Sequence, residues 1–137
     1  MNTDHRTLYR TFCLVALTAL LVALAGCGRV QKTAPTTDDG LTITMTTEPS
    51  PPIIGDGTVI LTVRDAAGRP VDDAKIEAEG NMSHAGMMPS FGKAAGGQGG
   101  VYRMPIQWTM GGDWYVDVKL TLADGKIATR RFPATVK

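Results

Sequence analysis

The stretch GNMSHAGMMPSFG, residues 80–92, carries the side chains with the clearest capacity for chemistry in this sequence. It contains Met82, His84, Met87 and Met88. Thioether sulfur and imidazole nitrogen are ligands that Cu(I) prefers over oxygen. If a strand runs through the start of the stretch, Met82 and His84 lie on one face of it, two residues apart. Met87 or Met88 would then complete a Cu(I) site from the following loop.

Two further methionines, Met104 and Met110, could add a sulfur from a neighbouring hairpin, but both have a simpler interpretation. Met104 is in phase with apolar neighbours along its run, which favours core packing. Met110 precedes a pair of glycines and could pack under a turn, since methionine fills irregular gaps well. The methionine-rich stretch is therefore either a soft-metal site or an adaptable apolar surface on which a protein partner docks.

The N-terminus has the pattern of a secretory leader. Basic residues precede the uncharged apolar run 12–26, which is shorter than the roughly 20 residues that a membrane-spanning helix requires. The end of that run, Leu-Ala-Gly-Cys at residues 24–27, resembles the lipobox of bacterial lipoproteins. The resemblance implies cleavage before Cys27 and lipid on that residue, so residues 1–26 would be a lipoprotein signal peptide. A signal peptide that contains a cysteine by chance and an uncleaved anchor are the alternatives.

Loss of the leader would remove free thiols from the mature protein. The two cysteines are Cys13, inside the leader, and Cys27, which would become a thioether. Structural zinc sites and blue-copper sites use thiolate ligands, so both are disfavoured. His84 has no nucleophile and orienting acid patterned around it, so we expect no catalytic residues and a protein that is not an enzyme.

Composition and charge indicate one small globular domain. The chain has 137 residues, 43% of them hydrophobic, and a formal net charge of +1. A phosphate-binding surface needs clustered Lys and Arg, so we expect no nucleic-acid partner. Residues 27–39 are polar and without periodicity, which predicts a flexible membrane tether, and residues 40–137 form the domain.

The domain sequence consists of short alternating runs separated by turn residues. No window keeps a helical period, and six or seven strands of this kind predict an all-β protein, an immunoglobulin-like antiparallel β-sandwich. Trp108 and Trp114 are each in phase with apolar neighbours, so we expect both in the core. The glycine-rich residues 92–100 are interpreted as a mobile connector, and Asp124-Gly125 as a tight two-residue hairpin.

Three pieces of the domain, in order, resemble the YtkA-like domain and more loosely the FixH proteins. They are VILTVRDAAGRPVDDAKIEAE, NMSHAGMMP and GGVYRMPIQWTMGGDWYVDVKL, and together the resemblance covers roughly residues 41–122. The third piece contains the most telling signature, formed by Gly100, Tyr102, Met110, Gly112 and Trp114.

The resemblance implies a small extracytoplasmic β-sandwich module, often anchored by lipid or by a helix. FixH-like proteins are associated with the assembly of copper-containing respiratory oxidases. We therefore expect a lipoprotein on the periplasmic or cell-surface side of a bacterial membrane, which binds Cu(I) as a chaperone or buffer. The alternative is a module without metal that assists assembly of a membrane or respiratory complex. Either function would involve a protein partner in metal handling or oxidase assembly.

Overall fold

The structure, a computed structural model, describes residues 32–33, 39–84 and 87–137, and these form an all-β sandwich. The strands are β1 (Lys32–Thr33), β2 (Thr42–Glu48), β3 (Gly55–Arg64), β4 (Lys75–Met82), β5 (Ser90–Ala95), β6 (Val101–Trp108), β7 (Gly112–Thr121) and β8 (Ile127–Val136). The sandwich predicted from the alternating runs is confirmed. The predicted signal peptide, Cys27 and most of the predicted tether lie outside the described residues. Within the described residues, no helix has the length and apolar character needed to cross a membrane.

The strands form two four-stranded antiparallel sheets. Sheet 1 has the order β1-β2-β3-β6, and sheet 2 has the order β5-β4-β7-β8. Two residues of the predicted tether take part, because Lys32 pairs with Met45 and Thr33 pairs with Thr44. The register places β1 antiparallel to β2.

The core lies between the two sheets and follows the period of two that the sequence shows. Along β6 and β7 every second side chain points inward, because successive residues of a strand face opposite sides of its sheet. Trp108 and Trp114 are both buried, as predicted, and their rings meet edge to face with centroids 5.3 Å apart. Met45 and Met104 are buried in the same core, as their phase predicts.

The prediction of a mobile connector at residues 92–100 is wrong for its first part, because Ser90–Ala95 forms β5 at the edge of sheet 2. Glycine is needed in this strand because β5 passes close to β6 of the other sheet. A Cβ atom on Gly92 would lie 2.9 Å from the carbonyl oxygen of Pro105. The hydroxyl of Ser90 also accepts a hydrogen bond from the Gln107 amide, at 3.0 Å, which joins the two sheets along this side.

The hairpin between β7 and β8 differs from the predicted two-residue turn. The Gly125 amide donates to the Leu122 carbonyl, and the Leu122 amide donates to the Lys126 carbonyl. The loop therefore has three residues, and Gly125 supplies the positive φ of 85° that such a loop requires at its last position.

An ion pair ties the other side of the sandwich together. Arg130 of β8 points inward, with its side chain 3% exposed, and one of its terminal nitrogens lies 2.7 Å from Asp39 Oδ1. Asp39 also accepts a hydrogen bond from the Leu41 amide just before β2. The start of sheet 1 is thus fastened to the last strand of sheet 2.

Candidate metal site

One end of the sandwich collects most of the predicted ligands, and we call it the methionine end. It comprises the loops 49–54, 83–89 and 109–111 together with Lys137, where β2, β4, β6 and β8 end and β3, β5 and β7 begin. Residues 85 and 86 of the second loop lie outside the described residues. The opposite end comprises the loops 65–74, 96–100 and 122–126.

Met82 is the innermost sulfur of this end. It is the last residue of β4, pairs with Trp114 of β7 and is 7% exposed. A Cβ atom on Gly112 would lie 3.0 Å from the Met82 methyl carbon, and Gly112 has a φ of 124°. Strand phase points Met82 inward, and Gly112 leaves the room that its thioether occupies.

His84 lies outside the strand. β4 runs past Gly80, as the sequence interpretation required, but it ends at Met82, and Ser83 and His84 form a bend. His84 is exposed whereas Met82 is buried. Strand phase therefore does not hold His84 beside Met82, and the loop conformation decides how near the imidazole comes to the sulfur.

Met87 and Met88, which the sequence left as alternatives for one ligand position, have different surroundings. Met87 is half-buried and packs against the core, and Met88 is 81% exposed. Met82, Met87 and Met88 thus differ in burial, from the core to the surface. Met87 is the more buried of the two alternatives, and Met88 is the more accessible to an incoming ion.

The two weaker ligand candidates, Met104 and Met110, also differ in their surroundings. Met104 is fully buried in the middle of β6, opposite Val59, and so belongs to the core. Met110 lies in the 109–111 loop and is 44% exposed, and its carbonyl oxygen accepts a 3.0 Å hydrogen bond from the Trp114 indole. Met110 is therefore a further sulfur of the methionine end.

Residues that the sequence did not single out complete this end. Ile53 and Ile54 are about half exposed in the first loop, and the Ile54 amide donates to the Lys137 carbonyl at 3.1 Å. An added Cβ on Gly111 would be 3.8 Å from Ile54 Cδ1, so the first and third loops are neighbours. The sequence signal for this was the uncharged run PSPPII, residues 49–54, which lies between two alternating runs.

Nitrogen and oxygen donors do not cluster in the described part of the chain. There, no three His, Cys, Asp or Glu side chains lie close enough together to hold a metal ion. A metal at the methionine end would depend on thioether sulfur and the single imidazole of His84. This donor set suits Cu(I) and is poorly matched to zinc or to hard cations.

A shallow depression of about 620 Å³ lies elsewhere, on the outer face of sheet 2. Most of its charged side chains are paired with an opposite charge. Glu77 contacts Lys93 and Lys119, and Asp117 contacts Arg131. Pairs of opposite charge across neighbouring strands are typical of the solvent-exposed face of a sheet, and they leave no excess charge to bind a ligand. The methionine end therefore remains the candidate site.

The fold and this end together define a small β-sandwich domain with a sulfur-rich end. Residues 36–119 match the family model described as YtkA-like, and the chain belongs to that family. Among solved structures, the fold is similar to that of the PmoD soluble domain from Methylocystis sp. strain Rockwell. The TM-score is 0.51 at 15% identity, and the match covers 80% of this chain and 100% of that chain. No curated protein sequence matches the chain at a significant level.

Proposed function

We propose that the protein is an extracytoplasmic lipoprotein, held to a bacterial membrane by lipid on Cys27, that binds Cu(I) as a chaperone or buffer. The ligands are Met82, His84 and one of Met87 and Met88. One observation carries the proposal: Met82, Met87, Met88 and the only histidine after the leader come to the same end of the sandwich. Membership of the YtkA-like family agrees with it, because the resemblance noted above implies modules of this location and role.

The arrangement suits transfer of an ion better than permanent storage. Thioethers are neutral and, unlike thiolates, bind without losing a proton. Met88 and His84 are exposed, whereas Met82 is buried. An ion would meet the exposed donors first, and Met82 would be the innermost ligand. The site binds and releases cargo, and no catalytic step is assigned to it.

Competition between the mature protein and a chromogenic Cu(I) chelator tests the proposal. We expect the wild type to take Cu(I) with one-to-one stoichiometry. Met82→Leu and His84→Asn should each weaken binding by tenfold or more, about 1.4 kcal/mol or above. Met→Leu nearly conserves volume, so the fold should survive.

The control is Met45→Leu, which changes a buried methionine on β2. It should bind Cu(I) as the wild type does. Absence of binding by the wild type, or equal binding by all variants, would reject the Cu(I) site.

A docking module without metal is the second candidate. Met88 and Met110 expose sulfur beside Ile53 and Ile54, and methionine adapts to varied apolar partners. Such a module would assist assembly of a membrane or respiratory complex. The chelator experiment separates the two functions, because docking needs no Cu(I) affinity.

A further inference from the structure

The two ends of the sandwich differ sharply in charge. The methionine-end loops 49–54, 83–89 and 109–111 contain no Asp, Glu, Lys or Arg. The loops at the opposite end contain six such residues: Asp65, Arg69, Asp72, Asp73, Asp124 and Lys126. Loops on a protein surface in water are usually polar and often charged, so a set of three adjacent loops without charge indicates a different environment.

The uncharged loops also expose apolar side chains. Ile53 is 51% exposed and Ile54 is 57% exposed, and Met88 and Met110 add to the same end. The nearest charges of the strands are at the rim. Glu48 is paired with Arg103, Asp113 accepts a hydrogen bond from Thr135, Asp56 is exposed at the second position of β3, and Lys137 follows β8. An apolar centre inside a polar rim is typical of a surface that meets a membrane or a partner.

The length of chain between the lipid site and the sandwich indicates that the methionine end meets a membrane rather than a protein partner. Lys32 is held against Met45 in sheet 1, and Cys27 is five residues earlier. Five residues span at most about 17 Å, whatever their conformation. A lipid on Cys27 therefore keeps sheet 1 within that distance of the bilayer surface.

The direction of β1 selects the end that faces the bilayer. β1 is antiparallel to β2, so the chain enters β1 at Lys32 from the side of the Glu48 end of β2, which is the methionine end. From Met45 to Glu48 is three residues, about 10 Å of strand. The reach of about 17 Å is enough to bring Cys27 level with the 49–54 loop, and a route to the opposite end would need a reversal within four residues.

We infer that the methionine end rests on the lipid bilayer, with Ile53, Ile54, Met88 and Met110 in its interfacial region. This inference rests on the proposed function, because it takes the lipid on Cys27 as given. The lipid supplies the anchor, and the four apolar side chains add a second contact that fixes the orientation of the domain. The charged opposite end then points into water.

Site-specific fluorescence on the full lipoprotein tests the orientation. Ile53→Cys and, as the matched control, Ile127→Cys are each labelled with an environment-sensitive fluorophore and reconstituted in phosphatidylcholine vesicles. Ile127 is a similarly exposed isoleucine at the opposite end, 59% exposed. We expect the label at position 53 to shift its emission to shorter wavelength and to be quenched by spin-labelled lipid several-fold more strongly than the label at position 127.

Mass spectrometry of the same samples separates failure of the inference from failure of the anchor. If Cys27 carries acyl chains and both labels report water, the inference is wrong while the lipoprotein assignment stands. If Cys27 carries no acyl chain, both fail. If position 53 is shielded in native membranes but not in pure lipid vesicles, a membrane protein covers this end, and the bilayer is not its occupant.

Discussion

At the residue scale, Trp108 shows how one missing side chain shapes the core beneath the methionine end. A Cβ atom on Gly57 of β3 would lie 2.7 Å from Trp108 Nε1 and 3.1 Å from its Cδ1. Trp108 is fully buried, and its indole nitrogen has no hydrogen-bond partner among the described residues. The indole is thus placed by packing against Gly57 and Trp114, and no polar contact directs it.

This packing predicts a large effect of Gly57→Ala. The added methyl would overlap a rigid, buried ring, and overpacking of this kind costs about 1–3 kcal/mol. We expect the midpoint of urea unfolding to fall accordingly. Gly111→Ala is the matched control, because the nearest atom to its added Cβ would be 3.5 Å away and neither glycine has a positive φ. Equal stability of the two variants would show that Trp108 can shift without cost.

The burial of single residues was predictable from sequence only where strand phase controls it. Met45, Met104, Trp108 and Trp114 are buried as their phase predicts, because alternation is a local property of a strand. The position of His84 could not be predicted in this way. The position of this side chain depends on where β4 ends and on how the following loop folds. The alternation of apolar and polar residues predicts neither of these.

At the scale of elements, β5 illustrates a strand whose sequence does not show it. Ser90–Ala95 contains Gly92 and two alanines, which have low strand propensity, so the segment resembles a linker. Its small inward residues are required by the nearby backbone of β6 in the other sheet. A contact between strands of different sheets is not visible in local sequence, whereas the strands that pack broad apolar faces were predicted.

The ion pair between Asp39 and Arg130 is the element-scale contact with the clearest pH dependence. The hydrogen bond from Arg130 lowers the pKa of Asp39 below its usual 3.8. An acid whose pKa is lower in the folded protein stabilises it above its unfolded pKa. That stabilisation is lost as the pH falls from about 3.8 through the folded pKa.

We therefore expect Asp39→Asn to destabilise the domain at pH 7 by about 2 kcal/mol, since it removes a charged partner from a buried guanidinium. The variant should also lose less stability than the wild type when the pH drops below 3.8. Urea unfolding across this range measures both effects. Glu77→Gln, which alters an exposed ion pair, is the control and should change stability at pH 7 by less than about 1 kcal/mol. Parallel pH profiles for Asp39→Asn and the wild type would contradict the assignment.

At the scale of the whole molecule, the loops at one end of the sandwich are charged and the three loops of the methionine end are not, and β1 begins on the side of the methionine end. A flexible tether over residues 27–39, as the sequence predicts, would leave the domain free to turn. Pairing of Lys32 and Thr33 with β2 leaves four residues between Cys27 and the first paired residue. A Cu(I) site at the methionine end would then exchange its ion close to the membrane surface.

This dependence on length predicts the effect of a longer tether. Insertion of about ten Gly and Ser residues after Gly28 would relax the restraint, because such linkers behave as flexible coils. We expect the shielding of a label at position 53 to decrease, while acylation of Cys27 and membrane association stay unchanged. Unchanged shielding would mean that the apolar loops alone hold the orientation, without help from the short connection.

The edge-to-face pair of Trp108 and Trp114 gives this end of the molecule an optical signature of its own. Two indole rings with centroids 5.3 Å apart and planes at 87° couple their electronic transitions, and the coupling depends on their mutual angle. Trp114 pairs with Met82 and donates to the Met110 carbonyl, so movement of either methionine would tilt one ring against the other. Circular dichroism of the unlabelled protein can therefore report movement at the sulfur-rich loops as a change in the signal of this coupled pair.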